Sequence, residues 1–161
     1  MEPSIEQAVL LRQENKPQQA LEILHSLLES EPDNPLVHYQ TAWTHDSMGQ
    51  ESDAIGHYEK AVALGLSGEP LRGALLGMGS TYRCLGQYER SLEVLNKAVD
   101  EFPDDRALQA FRALTLYNLG RCQASVSALL LMLLDTTDDP QLKAYERALR
   151  FYADKLDQTW S

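Results

Sequence analysis

Small residues recur along this chain with a period of 34 residues, and this spacing constrains the fold more than any other feature. Gly86 and Gly120 are 34 residues apart, whereas Gly49 and Gly86 are 37 apart, which is one period plus a three-residue insertion. The same intervals separate a second set of small residues, Ala20, Ala54, Ser91 and Ser125. A fixed period of this length indicates tandem repeats of one supersecondary unit. The predicted repeats are 1–34, 35–68, 72–105 and 106–139, with 69–71 inserted and a last segment at 140–161.

Each repeat is predicted to contain two helices joined by a tight turn. Apolar residues in the third repeat advance in steps of three and four, as on one face of a helix, at Leu92, Leu95, Val99 and Phe102. The turn positions carry asparagine or glycine, which best adopt the left-handed conformation that ends a helix; they are Asn15, Gly49, Gly86 and Gly120. Asn34 before Pro35 and Asp139 before Pro140 are predicted N-caps. No segment alternates convincingly with a period of two, so the predicted fold class is all-α.

The third repeat also carries the residues that identify a known repeat family. Small, aromatic and proline residues occupy characteristic places at Gly79, Tyr82, Gly86, Tyr88, Ala98 and Pro103. The second repeat shares part of this pattern, at Ala42, Gly49, Ala54, Tyr58 and Ala61. In these residues the sequence resembles the tetratricopeptide repeat, a 34-residue helix-turn-helix unit. The resemblance covers residues 1–139 and implies a right-handed α-solenoid of four repeats, closed by a capping helix at 140–161, in a single domain spanning 1–161.

Composition and charge narrow the possible partners and location. The formal net charge is -10 and the isoelectric point is about 4.8, so the long-range field repels nucleic acid and anionic lipid. No apolar run reaches the about 18 residues of a membrane span, and no basic leader with a cleavage site is visible. The two cysteines, Cys84 and Cys122, lack a CxxC spacing, which favours reduced thiols. We therefore predict a cytoplasmic protein with no nucleic-acid partner and no membrane association.

Catalytic, metal and cofactor sites are not predicted. The chain has four histidines, His25, His38, His45 and His57. No two of them have the i,i+4 spacing that places two imidazoles on one metal ion, and His45 is interpreted as a packed core residue. The segment 73–79 lacks the lysine and hydroxyl of a phosphate loop, so Gly77 and Gly79 are interpreted as sites of close helix approach. Paired carboxylates lie at repeat junctions, where helix capping accounts for them. The chain is therefore not expected to be an enzyme.

The resemblance implies where a partner binds, because the first helix of each tetratricopeptide repeat lines a concave groove. Transferred by position, the groove residues are Ile5, Val9, Arg12, Leu36, Tyr39, Trp43, Asp46, Leu76, Ser80, Arg83, Ala110, Leu114 and Tyr117. Tryptophan and tyrosine bury a large area with few torsions, so they are suited to anchor a polypeptide segment. The chain is therefore predicted to be a non-enzymatic protein–protein interaction module. Each groove residue has the alternative role of packing against a neighbouring helix.

Co-chaperones of the same family hold the terminal carboxylate of a peptide with lysine, asparagine and arginine side chains. The corresponding positions of this chain are occupied by Ile5, Val9, Gln40, Gly73 and Gly77. The charge clamp is absent from the sequence. An acidic chaperone tail is therefore not the predicted partner.

The second helix of the fourth repeat is predicted to be apolar on every side. By register with the other repeats, its outward positions are occupied by Leu130, Leu131 and Leu134. Burying one leucine stabilises a protein by about 1.5–3 kcal/mol, so leucines in these positions are expected to be covered. The predicted last helix offers one cover through the stripe Leu142, Tyr145, Leu149, Tyr152, Leu156 and Trp160. A second copy of the chain, forming a symmetric homodimer through the three leucines, is the other.

Two further functions remain as alternatives to a groove that binds another protein. One is a self-assembling scaffold, in which the outward leucines carry the function. The other is a peptide-responsive regulator, in which a bound peptide changes the superhelix and thereby the affinity for a second partner. Replacing Trp43 is expected to impair groove binding and spare self-assembly, whereas replacing Leu131 is expected to do the reverse.

Overall fold

A computed structural model of the protein describes residues 3–161. This part of the chain contains ten α-helices and no β-strand, which confirms the predicted all-α fold class. The helices are α1 (Ile5–Gln13), α2 (Pro17–Ser30), α3 (Pro35–Ser47), α4 (Glu51–Ala63), α5 (Gly68–Cys84), α6 (Tyr88–Glu101), α7 (Arg106–Asn118), α8 (Cys122–Thr136), α9 (Pro140–Ala144) and α10 (Glu146–Tyr152).

The turns within the repeats have the backbone conformation that the sequence predicts. Gly49, Gly86 and Gly120 have φ angles of 69°, 74° and 73°, and Asn15 has a φ angle of 61°. Each of these residues follows the first helix of its repeat, where the left-handed conformation ends the helix and reverses the chain. The four predicted turn positions are therefore confirmed.

The predicted N-caps at the repeat junctions are also confirmed. The Asn34 side-chain oxygen accepts hydrogen bonds from the backbone N–H groups of Leu36 and Val37, at 2.9 and 3.3 Å. Asp139 caps α9 in the same way, through backbone bonds of 2.9 Å each to the second and third residues that follow it. Such a cap stabilises a helix by about 1 kcal/mol. Proline follows both caps, where its missing N–H costs no hydrogen bond.

The chain divides into two compact units, one ending at Val94 and the other beginning at Leu95, within α6. In the first unit, consecutive helices from α1 to α5 pack against one another, and α3 also contacts both α1 and α5. The first helices of successive repeats therefore lie side by side. The core at the start of this unit consists of Ala8, Ala20, Leu24, Leu27 and Val37.

The repeated small residues let the two helices of one repeat pack closely. In the first unit, the buried hydroxyl of Ser91 donates to the carbonyl oxygen of Gly79 at 2.7 Å. In the second unit, the hydroxyl of Ser125 donates to the carbonyl oxygen of Ala113 at the same distance. A buried hydroxyl is unfavourable unless it is hydrogen-bonded. Because the facing helix provides a carbonyl oxygen as acceptor, serine can replace the alanine that the earlier repeats have at this position.

The three inserted residues lengthen a helix. Residues 69–71 lie in the first turn of α5, which begins at Gly68 and contains 17 residues, whereas α3 and α7 contain 13 each. Three residues correspond to nearly one helical turn. The insertion therefore adds about a turn to the N-terminal end of α5 instead of extending a loop.

The four histidines of the chain form a cluster in the first unit, which the sequence spacing did not indicate. His25 belongs to α2, His38 and His45 to α3, and His57 to α4. The ring centroids of His38 and His57 are 5.2 Å apart, and that of His45 lies 6.0 Å from His57 and 6.3 Å from His25. His45, interpreted as a core residue, is half-buried within this cluster.

In the second unit, α8 packs against both α7 and α10. Leu134, predicted as a self-association residue, is only 5% exposed, so it is already covered within a single chain and is not available to a second copy. It follows the buried Ser125 by nine residues, which is half a rotation away at 3.6 residues per turn. Leu134 therefore lies on the side of α8 opposite Ser125. The packing of α10 on α8 agrees with the burial of Leu134. Leu130 and Leu131, predicted with it, are half-buried.

A different set of apolar side chains on α8 is exposed. Val126, Leu129 and Leu133 are 50%, 36% and 44% exposed. Their spacing of three and four residues places them on one face of the helix. We call these three residues the α8 face.

The closing segment is shorter and more broken than the predicted helix at 140–161. It forms α9 and α10, separated at Tyr145, and the chain leaves the helix after Tyr152. The Lys155 ammonium group donates to the carbonyl oxygen of Phe151 at 3.1 Å and so satisfies one of the last carbonyls of α10. Of the predicted stripe, Leu142 and Leu149 are half-buried, whereas Tyr145, Tyr152, Leu156 and Trp160 are exposed. The stripe therefore does not act as one continuous cover.

Candidate functional site

The predicted groove positions of α3 and α5 meet at a pocket in the first unit. The pocket has a volume of about 340 Å³. This volume is at the lower end of the range of about 300–1,000 Å³ typical of ligand pockets, and it suits one large side chain. We call it the aromatic pocket; its lining, from α3, α4 and α5, consists of Tyr39, Trp43, Asp46, Ser47, Tyr58, Arg72, Gly73, Leu76, Gly77 and Ser80.

Three aromatic side chains form much of the pocket wall. Tyr39 and Trp43 lie one helical turn apart on α3 and stack with ring centroids 5.8 Å apart, and the Tyr58 ring lies 6.4 Å from Tyr39. Tyr39 and Tyr58 are 8% and 2% exposed, whereas Trp43 is 46% exposed. The pocket therefore combines a buried aromatic base with one tryptophan that remains accessible.

Arg12 of α1 holds the Trp43 ring in place. Its guanidinium carbon lies 4.1 Å from the ring centroid, a cation–π contact. The same guanidinium group donates to the Thr44 hydroxyl at 3.1 Å and to the Gln40 carbonyl oxygen at 3.4 Å. Arg12, predicted as a groove residue, thus supports the anchor and does not itself line the pocket.

Two glycines on α5 make room for the two tyrosines. A Cβ atom added at Gly73 would overlap the Tyr39 hydroxyl, and one added at Gly77 would overlap the end of the Tyr58 ring, lying 2.8 Å from its Cε1 atom. Real Cβ atoms do not approach other heavy atoms this closely, so both positions require glycine in this arrangement. Larger clamp side chains at 73 and 77 are therefore incompatible with the observed position of the two rings.

Asp46 is the acidic group of the pocket. Its carboxylate accepts a hydrogen bond from Tyr58, and the Thr81 hydroxyl lies 2.9 and 3.0 Å from its two oxygens. Burial raises the pKa of Asp46, because the charged form loses hydration, and these hydrogen bonds offset part of the rise. The pocket thus contains a partly desolvated carboxylate beside aromatic rings.

Arg72 is the basic group of the pocket lining, and it is already paired. Its guanidinium nitrogens contact the Glu69 carboxylate at 2.5 to 2.9 Å, in the two-pronged geometry that arginine forms with carboxylates. The pair therefore contributes little net charge to the pocket.

Five of the predicted groove residues line the aromatic pocket, namely Tyr39, Trp43, Asp46, Leu76 and Ser80. Ile5 instead packs against the hydrophobic core, which is the alternative role considered for these positions. Val9, Leu36 and Arg83 lie outside the pocket lining. In the second unit, Leu114 and Tyr117 are exposed on α7 and Ala110 is half-buried.

The groove prediction missed half of the pocket lining. It did not include Tyr58, because this residue comes from the second helix of its repeat, whereas the transferred pattern covers first helices. It also omitted Ser47, Arg72, Gly73 and Gly77. One feature of the sequence does indicate this part of the pocket. Gly73 and Gly77 are four residues apart and therefore lie on one face of α5, where the absence of side chains lets large residues of a neighbouring helix approach.

Two negative findings apply to residues 3–161. No group of three or more histidine, cysteine, aspartate or glutamate side chains is arranged to hold a metal ion. No helix within these residues combines the length and the apolar character needed to cross a bilayer.

Paired helices, left-handed turns at a 34-residue period and a pocket on the first helices together define a helical repeat protein. The sequence model of the family described as Tetratrico peptide repeat matches residues 35–156. The chain therefore belongs to the tetratricopeptide repeat family, which confirms the resemblance found in the third repeat. No curated protein matches the sequence.

Solved structures show the same fold. The chain is similar to YrrB, described as a TPR protein with an unusual peptide-binding site, with a TM-score of 0.74 and 18% identity over 94% of this chain and 79% of that one. It is also similar to nearly identical TPR-like repeats from Podosopora anserina, with a TM-score of 0.70 and 19% identity over 94% of this chain and 89% of that one. At 18% and 19% identity, these similarities show a common fold and do not transfer a function.

Proposed function

We propose that the protein is a non-enzymatic interaction module that binds a segment of another polypeptide at the aromatic pocket. The observation that carries this proposal is Trp43, a large aromatic side chain that is 46% exposed at the mouth of a pocket. Such side chains are frequent binding anchors, because they bury much area and have few torsions to fix. Arg12 and Tyr39 already hold the ring, so little ordering is required when a partner binds.

The similarity to YrrB supports the same proposal, since that protein is described as having a peptide-binding site. The family also favours this class of function over catalysis, because tetratricopeptide repeats serve mainly to bind other proteins. At 18% identity, the peptide and its contacts are not transferred to this chain. The identity of the bound segment must therefore come from the chemistry of the pocket itself.

Replacing Trp43 with alanine is expected to weaken peptide binding by about tenfold or more, because truncating a central aromatic anchor costs about 2 kcal/mol or more and tenfold corresponds to about 1.4 kcal/mol. The measurement is binding of the protein to an array of random-sequence hexapeptides, followed by affinities in solution for the strongest ones. Trp160→Ala is the matched control, since it removes an exposed tryptophan from the second unit. Equal binding by the wild type and the Trp43 variant contradicts the proposal.

We also propose that two copies of the chain associate through the α8 face. Val126, Leu129 and Leu133 are exposed together on an otherwise apolar helix, with the half-buried Leu130 and Leu131 beside them. A contiguous apolar face of this kind is unfavourable in water and prone to association. A second copy covers it through a self-complementary contact about a twofold axis. If the chain forms this dimer but binds no peptide, self-assembling scaffold becomes the better description.

Leu133→Glu is expected to convert the dimer to a monomer, because it places a charge within the apolar contact. Light scattering at tens of micromolar is expected to give twice the chain mass of 18.1 kDa for the wild type and the single mass for the variant. Leu10→Glu is the control, since it introduces the same charge at another exposed leucine, on α1. A wild-type protein that is monomeric under these conditions rejects the dimer.

We further propose that the protein works in the cytosol. Cys84 and Cys122 are both free and exposed. Exposed thiols persist in the reducing cytosol and are readily oxidised outside it. This location agrees with the expectation from cysteine spacing in the sequence.

A further inference from the structure

We propose that the aromatic pocket binds the cationic side chain of an arginine or lysine in the partner segment, with the Asp46 carboxylate as its acceptor. This inference rests on the proposed function and specifies the chemistry of one position in the bound peptide. The occupant is a basic side chain because three features of the pocket favour a positive charge: an incompletely satisfied carboxylate, aromatic walls and the sign of the surrounding charge.

The first feature is the hydrogen bonding of Asp46. An ionised carboxylate has about four positions at which it accepts hydrogen bonds. Tyr58 supplies one donor. The Thr81 hydroxyl has a single hydrogen, and the Gly77 carbonyl oxygen competes for it at 2.8 Å. The carboxylate therefore receives at most two hydrogen bonds from these side chains, and it retains acceptor positions for the N–H groups of a ligand.

The charges around Asp46 also favour a cationic ligand. Among residues 3–161, no lysine or arginine forms an ion pair with this carboxylate. Of its charged neighbours, Glu51 raises the pKa of Asp46 and His45 lowers it. Arg72 also lines the pocket, but its charge is balanced by Glu69. A half-buried carboxylate without a counter-ion is unfavourable, and a cation from the ligand removes this cost.

The aromatic walls favour the same kind of occupant. Trp43, Tyr39 and Tyr58 line the pocket together with Asp46. The faces of aromatic rings carry partial negative charge and attract ammonium and guanidinium groups, tryptophan most strongly. The contact between Arg12 and Trp43 shows that this ring already holds one guanidinium group within the protein. A basic side chain of the partner can place its apolar stem against the rings and its charge at Asp46.

The charge of the whole chain agrees with a basic partner. The formal net charge of -10 creates a long-range field that attracts basic peptides and accelerates their encounter with the protein. Asp46 is also the only aspartate or glutamate among the ten residues that line the pocket. The field therefore guides a basic segment, and the single pocket carboxylate selects its position.

The hexapeptide array also tests this inference. Peptides whose binding depends on Trp43 are expected to be enriched in arginine or lysine at one position, and this enrichment is expected to disappear with Asp46→Asn. Asparagine keeps the shape of the side chain and an acceptor oxygen for Tyr58 and Thr81, so the fold is preserved. Glu22→Gln is the matched control, since it removes one negative charge from an exposed position on α2, outside the pocket lining.

A second measurement changes a residue of the peptide and compares the wild-type protein with Asp46→Asn. In the strongest basic peptide, arginine is replaced by citrulline, which has nearly the same shape but no charge. The wild-type protein is expected to lose about tenfold or more in affinity, as is typical of charge-assisted hydrogen bonds. The Asp46→Asn protein is expected to bind both peptides with similar affinity. Thermal unfolding of both proteins checks that the variant is folded.

The possible outcomes separate this inference from the proposed function. If peptides bind through Trp43 without enrichment in basic residues, or with enrichment in acidic ones, the interaction module stands and the cationic site is rejected. If citrulline replaces arginine without loss of affinity, the cationic site is likewise rejected. If no peptide depends on Trp43, the proposed function fails and this inference fails with it.

Discussion

Replacing Gly77 with alanine is expected to destabilise the protein by about 1–3 kcal/mol, the usual cost of forcing an extra methyl group into a packed site. The new Cβ atom would overlap the Tyr58 ring. Tyr58 is 2% exposed, so its ring has little free space into which it can move. Its hydroxyl group is also held by a hydrogen bond to Asp46. Relief requires α5 to move away from α4, or the bond to Asp46 to break. Either change also alters the wall of the aromatic pocket.

Gly56→Ala is the matched control for this effect. Gly56 lies in the interior of α4, and a Cβ atom there would meet nothing within 4 Å. Alanine is better than glycine in a helix by about 0.5–1 kcal/mol, so this variant is expected to be more stable than the wild type. The two substitutions are chemically identical, and the difference in sign isolates the contact with Tyr58.

Urea denaturation followed by circular dichroism measures both free energies of unfolding. A Gly77→Ala protein that is as stable as the wild type, with the same peptide affinity, contradicts the requirement for glycine at the pocket. Loss of stability in Gly56→Ala contradicts the explanation by local crowding, since crowding is absent there.

Most of the fold followed from local signals in the sequence. The turn residues were predictable because Asn15, Gly49, Gly86 and Gly120 are residue types that accept positive φ, a property of one residue alone. The N-caps at Asn34 and Asp139 were predictable because capping depends on a side chain and the next three residues. The turn residue recurs once in each repeat, so agreement among the four copies reinforced that prediction.

The errors arose where one repeat departs from the others. Leu134 was predicted as a self-association residue by analogy with the earlier second helices, but it is buried within a single chain, in which α10 also packs on α8. The family resemblance implied a closing helix and the spacing of its apolar residues implied one stripe, yet Tyr152, Leu156 and Trp160 are exposed. Periodicity indicates a helix-compatible pattern and does not show what is available to cover it. The last helices of a repeat array have no following repeat to pack against, so their packing cannot be inferred from the earlier repeats.

The pocket was partly predictable for a related reason. The family pattern located Trp43 and Asp46 because first helices of neighbouring repeats share a surface. It did not locate Tyr58, which reaches the pocket only because Gly77 leaves space for its ring. That dependence joins residues on two helices and is not visible from either position alone. Contacts between particular side chains on different helices therefore required the structure.

The free energy of unfolding is expected to fall by about 2 kcal/mol between pH 6.5 and pH 4 because of His57, since one pKa unit corresponds to about 1.4 kcal/mol and the ring is only half-buried. Burial lowers the pKa of His57 from 6.5 to about 4, and nearby His38, His45, His25 and Lys60 add to the effect. The unfolded chain therefore takes up a proton in this range that the folded chain does not. The contribution of neutral His57 to the free energy of unfolding is therefore fully present above pH 6.5 and is lost as the pH falls towards 4.

The hydrogen bonds of the histidine pair explain why the neutral form of His57 fits the folded protein. The Nε2 atom of His38 lies 2.8 Å from the Pro32 carbonyl oxygen, which only accepts, so this nitrogen carries a hydrogen. In neutral His38 the Nδ1 atom is then an acceptor, and the Nδ1 atom of His57, 2.9 Å away, donates to it. A further proton must therefore go to the remaining nitrogen of His57, in a half-buried cluster with Lys60 nearby.

His57→Gln is expected to reduce the loss of stability between pH 6.5 and pH 4 by about 2 kcal/mol relative to the wild type. Glutamine does not titrate, and its amide N–H can still donate to the Nδ1 atom of His38. Urea denaturation at a series of pH values gives the two profiles, and the NMR titration of the His57 ring locates its pKa directly. His25→Gln is the control for losing a histidine of the cluster, because it leaves the bond between His38 and His57 intact. If wild type and His57→Gln lose the same free energy over this range, the histidine pair does not account for the acid sensitivity of the fold.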